Sequence, residues 1–246
     1  MTAASPATGS VTLVGGGPGA WDLMTIRGQR ALERADVILT DHLGPAHELD
    51  QLCDTASKEI IDVSKLPYGR QVAQEKTNEL IVSHASAGRN VVRLKGGDPY
   101  VFGRGFEELT VCREHGIPCE VVPGVTSAVS VPAAAGIPVT QRGMVHSFTV
   151  VSGHLPPGHR NSLVNWRAVA ESGGTICVIM GVKNAPVIAA ELLEVLPADT
   201  PAAVIQEGTT DAQRAVRCTL GTLGATMVEH GIGAPAVYVI GQVAGL

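Results

Sequence analysis

The chain of 246 residues has few aromatic residues and no excess of positive charge. Phenylalanine, tryptophan and tyrosine together make up 3% of it, and the formal net charge is -5. Nucleic-acid-binding proteins depend on basic surfaces and often on aromatic side chains that stack on bases. The composition therefore argues against a nucleic-acid partner.

Long apolar runs are missing as well. No segment approaches the roughly 20 apolar residues that a membrane-spanning helix needs. Residues 1–10 have no basic segment followed by an apolar stretch, so they do not resemble a signal peptide. We therefore expect a cytoplasmic protein without a membrane partner, whose residues 1–10 form a short disordered start.

Paired cysteines and metal-binding motifs are also lacking. The five cysteines are an odd number without a CxxC pair, and the eight histidines form no HxxxH or HExxH pattern. We interpret the cysteines as structural thiols in a reducing compartment, and we predict no metal site.

Glycine, by contrast, is abundant, and two glycine clusters follow apolar strands. Residues 15–19 read GGGPG after the apolar run 11–14, and residues 96–99 read GGDP after the run 91–94. An isolated GGDP would more often be an ordinary turn. In open α/β sheets, however, ligands bind beyond the carboxyl ends of the strands. We therefore expect the two loops to face one ligand site.

Apolar runs alternate with amphipathic stretches along the whole chain, which predicts an α/β fold. In the first half we predict strands over 11–14, 37–40, 59–63, 91–94 and 119–122, and helices over 25–35, 71–87 and 106–115, with Thr25 as an N-cap. In the second half we predict strands over 147–151, 175–180, 202–206 and 236–240, with a hairpin-like connection over 215–219.

The character of the chain changes after Pro123 and Gly124. We predict two α/β domains, 11–123 and 124–246, with a ligand cleft between them. Alternating strands and helices indicate a mainly parallel sheet in the first domain. Hairpin-like spacing indicates a mixed sheet in the second.

The motifs together resemble the tetrapyrrole methylase family, and within it the uroporphyrinogen-III C-methyltransferases. The matching segments, in family order, are VTLVGGGPGAWDLMT, ADVILTDHL, NVVRLKGGDPYVFGRGFEE, EVVPGVTSAVSVPAAAGIPVTQR, FTVVSGH, VIMGV, AVIQEGTT and PAVYVIGQV. The resemblance implies a homodimer that uses S-adenosyl-L-methionine and releases S-adenosyl-L-homocysteine. It implies methylation of uroporphyrinogen III at C-2 and C-7 to precorrin-2, for sirohaem or cobalamin. Another precorrin methyltransferase is the alternative within the family.

The resemblance also implies which residues line the cofactor pocket. They are Pro18, Gly96, Gly97, Asp98, Val101, Thr126, Ser127, Met180 and Gly208. Glycine has no side chain and would let the ligand approach the backbone closely, and Met180 would form an adaptable apolar wall. Taken alone, Met180 would more often be a core residue, and Thr126 or Ser127 could cap a helix.

For the substrate, the resemblance implies Arg104, Arg142 and Met180 as binding residues, since a guanidinium can grip a carboxylate with two hydrogen bonds. It implies catalytic roles for Asp41, Lys65, Arg104 and Glu107. From the residues alone, Arg104 and Glu107 could be a solvated ion pair, and Asp41 could begin a turn. The sequence departs from the family pattern at Ala20, Ser64, Phe106 and Gln141, which could alter rate or substrate preference.

Two other classes stay open from the residues. The segment 15–20 formally satisfies the GxGxxA fingerprint of NAD-dependent oxidoreductases, with Asp41 downstream. Against this, Pro18 lacks an N–H for a pyrophosphate, and Asp41 lies beyond the usual spacing of about 20 residues. A ligand carrier without catalytic activity would use the same loops.

Overall fold

The computed structural model describes residues 9–41, 43–64 and 70–246, with residues 70–73 described by their backbone alone. The chain divides into two compact units, Met1–Thr126 and Ser127–Leu246. Each unit contains one five-stranded sheet.

The first unit is built on a parallel sheet. Its strands are β1 (Ser10–Gly15), β2 (Val37–Thr40), β3 (Glu59–Asp62), β4 (Asn90–Lys95) and β5 (Cys119–Val122), in the order β3-β2-β4-β1-β5. Every neighbouring pair is parallel. Its helices are α1 (Ile26–Arg34), α2 (Arg70–Ser86) and α3 (Gly105–Glu114). Because all five strands run the same way, their carboxyl ends meet at one edge of the sheet.

Alternation along the strands places the core of this unit on both faces of its sheet. Val92 and Leu94 of β4 pack with Leu32 of α1, whereas Val91 packs with Ile81 of α2 and Leu109 of α3. Full burial of one such side chain contributes about 1.5–3 kcal/mol. Thr25 caps α1 as predicted, since its hydroxyl accepts the Gly28 N–H at 3.1 Å.

The second unit contains a mixed sheet. Its strands are β6 (Phe148–Ser152), β7 (Thr175–Ile179), β8 (Pro201–Gln206), β9 (Arg214–Thr219) and β10 (Ala236–Ile240), in the order β6-β7-β10-β8-β9. Only the β6–β7 pair is parallel. The helices are α4 (Ser127–Ala134), α5 (Trp166–Glu171), α6 (Ala185–Leu193) and α7 (Leu223–Glu229). The predicted fold class, with one parallel and one mixed sheet, is confirmed.

Small differences from the predicted boundaries have local causes. The strand predicted over 175–180 ends at Ile179 because Met180 has a positive φ of 55°. None of the helices in the described residues is long and apolar enough to cross a bilayer. The five cysteines are free, and the described part of the chain holds no group of side chains suited to a metal ion.

Candidate functional site

Two glycine loops of the first unit meet at the carboxyl edge of its sheet. The Gly97 N–H donates to the Gly17 carbonyl at 2.6 Å, and the Gly17 N–H donates to the Gly97 carbonyl at 3.2 Å. Both glycines have a positive φ, 81° at Gly17 and 67° at Gly97. L-residues with a side chain rarely adopt this backbone conformation. The loops after β1 and β4 therefore converge as the sequence predicts.

A third loop, after β5, closes against the first two. A Cβ on Gly15 would lie 2.4 Å from the backbone nitrogen of Gly124, and a Cβ on Gly124 would lie 2.2 Å from the Gly97 carbonyl oxygen. Neither distance leaves room for a methyl group. These glycines are required where the loops touch one another, a role that sequence reasoning missed for Gly15 and Gly124.

Asp98 ties the second and third loops together. Its Oδ1 accepts the Tyr100 N–H at 2.8 Å, and its Oδ2 accepts the Gly124 N–H at 3.0 Å. Asp98 is half-buried, as are its neighbours Gly96 and Gly97. A carboxylate that accepts backbone N–H groups is a strong organiser of a loop. Asp98 therefore fixes the shape of the junction from within.

Five of the residues predicted to bind the cofactor lie in or next to these loops. Pro18, Gly96, Gly97, Asp98 and Val101 are all partly exposed. Backbone groups at this position can contact a small molecule closely, which side chains would prevent. These five residues are therefore candidates for contact with a small molecule.

Arg104 and Glu107 form a two-pronged ion pair at the start of α3. Arg104 donates to both carboxylate oxygens of Glu107, Nε to Oε1 at 2.8 Å and Nη2 to Oε2 at 2.7 Å. These hydrogen bonds hold the pKa of Glu107 below its usual range and raise the pKa of Arg104. Arg104, the N-cap of α3, has a φ of 59°, a left-handed conformation that glycine adopts at lower energy than residues with a side chain. Such strain is often found at functional positions.

Asp41 follows β2 at the same edge of the sheet. Its Oδ1 accepts the Leu43 N–H at 3.1 Å, which is the hydrogen bond expected of an aspartate that begins a turn. Its Oδ2 also accepts a hydrogen bond from Arg93 Nη2 at 3.3 Å. Asp41 is thus both a turn residue and part of a charged network. Lys65, its predicted catalytic partner, lies outside the described residues.

The charged network continues into the interior of the unit. Glu108 of α3 accepts hydrogen bonds at Oε1 from Arg93 Nε at 3.2 Å and from Lys95 Nζ at 3.0 Å. The Glu108 side chain is fully buried. Burial lowers the pKa of Lys95, and the positive charge of Arg93 acts in the same direction. We call Asp41, Arg93, Lys95 and Glu108 the buried charge cluster.

Sequence reasoning missed Arg93, Lys95 and Glu108, although a signal was present. In β4, Val91, Arg93 and Lys95 occupy alternate positions and share one face of the strand, while Val92 and Leu94 share the other. Two cations on a face that also carries a buried valine require buried partners. From the sequence alone, the run 91–94 predicts only an apolar strand before a loop.

In the second unit, Met180 and Gly208 lie at one edge of the mixed sheet. β7 and β8 are both antiparallel to the strand between them, β10, so their carboxyl ends point the same way. Met180 follows β7 and is half exposed, and Gly208 lies between two residues with positive φ, Glu207 at 49° and Thr209 at 72°. Met180 is therefore not a core residue.

The remaining predicted residues are spread over both units. A Cβ on Gly208 would lie 2.4 Å from Cγ1 of Val131, so this glycine is needed for packing within its unit. Arg142 is exposed in the turn that joins Gln141 to Val145. Thr126 ends the first unit, and Ser127 is the first residue of α4.

The first loop does not have the geometry of a dinucleotide fingerprint. In that motif the glycine loop leads straight into a helix whose N-terminus holds the pyrophosphate. Here α1 begins only at Ile26, after a short 3-10 turn over Trp21–Leu23. The oxidoreductase alternative therefore lacks its main structural requirement.

Fold and loop geometry together define the class: an α/β protein whose glycine loops converge at the carboxyl edge of a parallel sheet, the edge at which such sheets bind ligands. Sequence comparison then gives the family. Residues 10–224 match the tetrapyrrole (corrin/porphyrin) methylases, and the chain belongs to that family.

Curated relatives of two lengths are similar to the chain. It is 44% identical over 239 residues to the S-adenosyl-L-methionine-dependent uroporphyrinogen III methyltransferase of Methanosarcina barkeri, covering 97% of this chain and 93% of that protein. It is 42% identical over 242 residues to the siroheme synthase of Thiobacillus denitrificans, covering 98% of this chain. The chain spans 50% of the length of that siroheme synthase.

Solved structures show the same fold. The uroporphyrin-III C-methyltransferase of Thermus thermophilus in complex with S-adenosylhomocysteine is 36% identical, with a TM-score of 0.77 over 96% of this chain and 99% of that one. A cobalt precorrin-4 methyltransferase reaches a TM-score of 0.80 at 23% identity, covering 96% of this chain and 95% of that one. The second likeness shows the shared fold alone.

Proposed function

We propose that this protein transfers methyl groups from S-adenosyl-L-methionine to C-2 and C-7 of uroporphyrinogen III, giving precorrin-2. The observation that carries the proposal is the junction of Gly17, Gly97 and Gly124, where three loops meet through their backbones at the carboxyl edge of the parallel sheet. Relatives at 42–44% identity that are named for uroporphyrinogen III methylation support this substrate over a later precorrin.

The donor supplies a methyl group already activated by its sulfonium charge, so the protein has mainly to hold and align the reactants and keep water away. We assign this holding role in the first unit to Pro18, Gly96, Gly97, Asp98 and Val101. We extend it to Thr126 and to Ser127, Met180 and Gly208 of the second unit. The product of the donor is S-adenosyl-L-homocysteine.

The substrate is a polycarboxylate, and arginine is the side chain best suited to grip it. We assign carboxylate binding to Arg104 and Arg142, and contact with the apolar pyrrole rings to Met180. In the free protein Arg104 is held by Glu107. A substrate carboxylate can therefore compete for a guanidinium that already has a defined orientation.

Carbon methylation leaves a cationic ring that must lose a proton, so a base that accepts this proton is needed nearby. Asp41 is our principal candidate because its carboxylate stands at the carboxyl end of β2 and is partly exposed. Lys65 and Glu107 are the further candidates. We also propose that the protein acts as a cytoplasmic homodimer.

The test is a methylation assay under exclusion of oxygen, with purified protein, uroporphyrinogen III and isotopically labelled donor. We expect a tetrapyrrole that gains two labelled methyl groups, as read by mass spectrometry. Unchanged substrate despite tight S-adenosylhomocysteine binding would instead establish a carrier. Methylation of a later precorrin but not of uroporphyrinogen III would establish the alternative within the family.

A further inference from the structure

The buried charge cluster connects the interior of the first unit to the candidate site. Its side chains become more exposed toward one end: Glu108 is 0% exposed, Arg93 is 7% exposed and Asp41 is 21% exposed. Two carboxylates face two cations, so the formal charges of the four side chains balance. Asp41 is thus the member of the cluster that reaches solvent at the carboxyl edge.

Stability alone is a weak explanation for such a cluster. Each ion loses favourable hydration when it is buried, and well-packed apolar side chains often stabilise a protein as well or better. The position also lies on the core face of β4, beside the apolar Val91. A role in addition to packing would explain why charged residues occupy it.

The geometry of Arg93 indicates what that role is. Its Nε donates to Glu108, its Nη1 donates to the carbonyl oxygens of Leu94 at 2.6 Å and Leu39 at 3.4 Å, and its Nη2 donates to Asp41. Four acceptors fix the plane of the guanidinium. A single ammonium group could not reach Glu108 and Asp41 in the same way, because lysine lacks the rigid fork of arginine.

We propose that Arg93 is a positioning residue for methyl transfer, anchored by Glu108 and acting through the carboxylate of Asp41. The Leu43 N–H holds one oxygen of that carboxylate and Arg93 holds the other, so its direction is set from both sides. The inference rests on the proposed function, in which Asp41 handles the proton. Arg93 itself is too deeply buried to be assigned a contact with substrate.

The test is a double-mutant cycle with Arg93→Lys and Asp41→Asn in the full chain, read as kcat and KM for the tetrapyrrole. We expect Arg93→Lys to lower kcat by about 10- to 100-fold, the effect of a misplaced catalytic group. We expect the KM of Arg93→Lys to differ from the wild-type KM by less than about 2-fold. In the Asp41→Asn background, we expect the addition of Arg93→Lys to cause no further loss of activity. Losses that multiply, or a kcat for Arg93→Lys near the wild-type value, would overturn the proposal.

Arg89→Lys is the matched control. Arg89 lies just before β4 and pairs at the surface with Glu59, away from Asp41. We expect this variant to keep the wild-type kcat. Heat unfolding and S-adenosylhomocysteine binding are measured for every variant, because a merely structural role would lower the unfolding temperature and weaken binding together with kcat.

A second variant covers the case in which Arg93→Lys does not fold. Glu108→Gln keeps Arg93 and a neutral acceptor but removes the ionic anchor, so we expect a smaller loss of kcat that is also absent in the Asp41→Asn background. Full activity of Glu108→Gln would overturn the proposal.

If wild-type protein makes no methylated tetrapyrrole, the proposed function fails. If Asp41→Asn keeps full activity, only the role of Asp41, and with it that of Arg93, fails.

Discussion

Gly17 and Gly97 exchange a pair of backbone hydrogen bonds, 2.6 Å and 3.2 Å long, across two loops that are far apart in the sequence. Each loop leaves a parallel strand at its carboxyl end, and neither carries side-chain bulk where they meet. The candidate donor site is therefore shaped by backbone packing between loops. Substitutions that disturb this packing should affect ligand binding before they affect the sheet.

Gly15→Ala tests this packing. The added methyl carbon would lie 2.4 Å from the Gly124 nitrogen and 2.7 Å from the Gly97 oxygen, so the loops must separate. We expect a loss of about 1–3 kcal/mol in stability, as for overpacked cores. We also expect S-adenosylhomocysteine to bind at least 10-fold more weakly in calorimetry.

Gly233→Ala is the control for that substitution. A Cβ at Gly233 meets no atom within 4 Å. This variant should bind S-adenosylhomocysteine as the wild type does. Equal affinity for Gly15→Ala and Gly233→Ala would show that the loop junction does not shape the donor site.

Replacement of Arg104 by glycine should increase the stability of the protein and weaken its function. Its φ of 59° costs an L-residue about 1 kcal/mol, which glycine avoids. The exposed ion pair with Glu107 contributes little. We expect Arg104→Gly to unfold at a higher temperature than Arg104→Ala, which keeps the strain.

Both variants at position 104 lack the guanidinium, so both should raise KM for uroporphyrinogen III by a similar factor of about 10 or more. Steady-state kinetics with saturating donor measure this. An unchanged KM in both variants would remove Arg104 from the substrate site.

Asp98→Asn should loosen the second and third loops. Asparagine has an NH2 group in place of one carboxylate oxygen, and this group cannot accept a hydrogen bond. Either the Tyr100 N–H or the Gly124 N–H therefore loses its acceptor. We expect a cost of about 1–3 kcal/mol in the free energy of unfolding. Hydrogen exchange should rise at Tyr100 or at Gly124, and protection equal to that of the wild type at both amides would contradict the assigned contacts.

Cys177 should make stability depend on pH in alkaline solution. Burial raises the pKa of this thiol from 9.0 to about 12, so only the unfolded chain ionises between these values. Its contribution is complete below pH 9 and should fall by about 1.4 kcal/mol per pH unit above it. The stability difference between wild type and Cys177→Ala, measured by urea unfolding, should shrink from pH 9 to pH 11.

Val178→Ala is the matched control for this pH dependence, because Val178 is also fully buried but does not titrate. Its cost should stay constant over the same pH range. A constant cost for Cys177→Ala would show that its thiol is not held protonated in the folded protein.

Much of the fold was predictable from local patterns. Four strands of the first unit end at or next to a glycine or an aspartate, β5 ends before Pro123, and Thr25 marks the start of α1. The end of β7 at Ile179 was not predictable, because the residue type of Met180 does not indicate its positive φ of 55°. Propensity gives no warning of such a residue.

The site was predictable in part for a similar reason. The pairing of the GGGPG and GGDP loops follows from the rule that ligand loops share the carboxyl edge of a parallel sheet. The closure of Gly124 onto Gly15 depends on β5 lying beside β1, an arrangement that the sequence does not reveal. The cluster around Glu108 needs the packing of α3 on β4, which only the structure supplies.

The most direct test of the account is a crystal structure of the protein with S-adenosylhomocysteine. The account predicts density for the ligand against the exposed backbone of Gly96 and Gly97, in contact with the loop that carries Pro18. Ligand bound elsewhere, with this junction of loops exposed to solvent, would contradict the central claim.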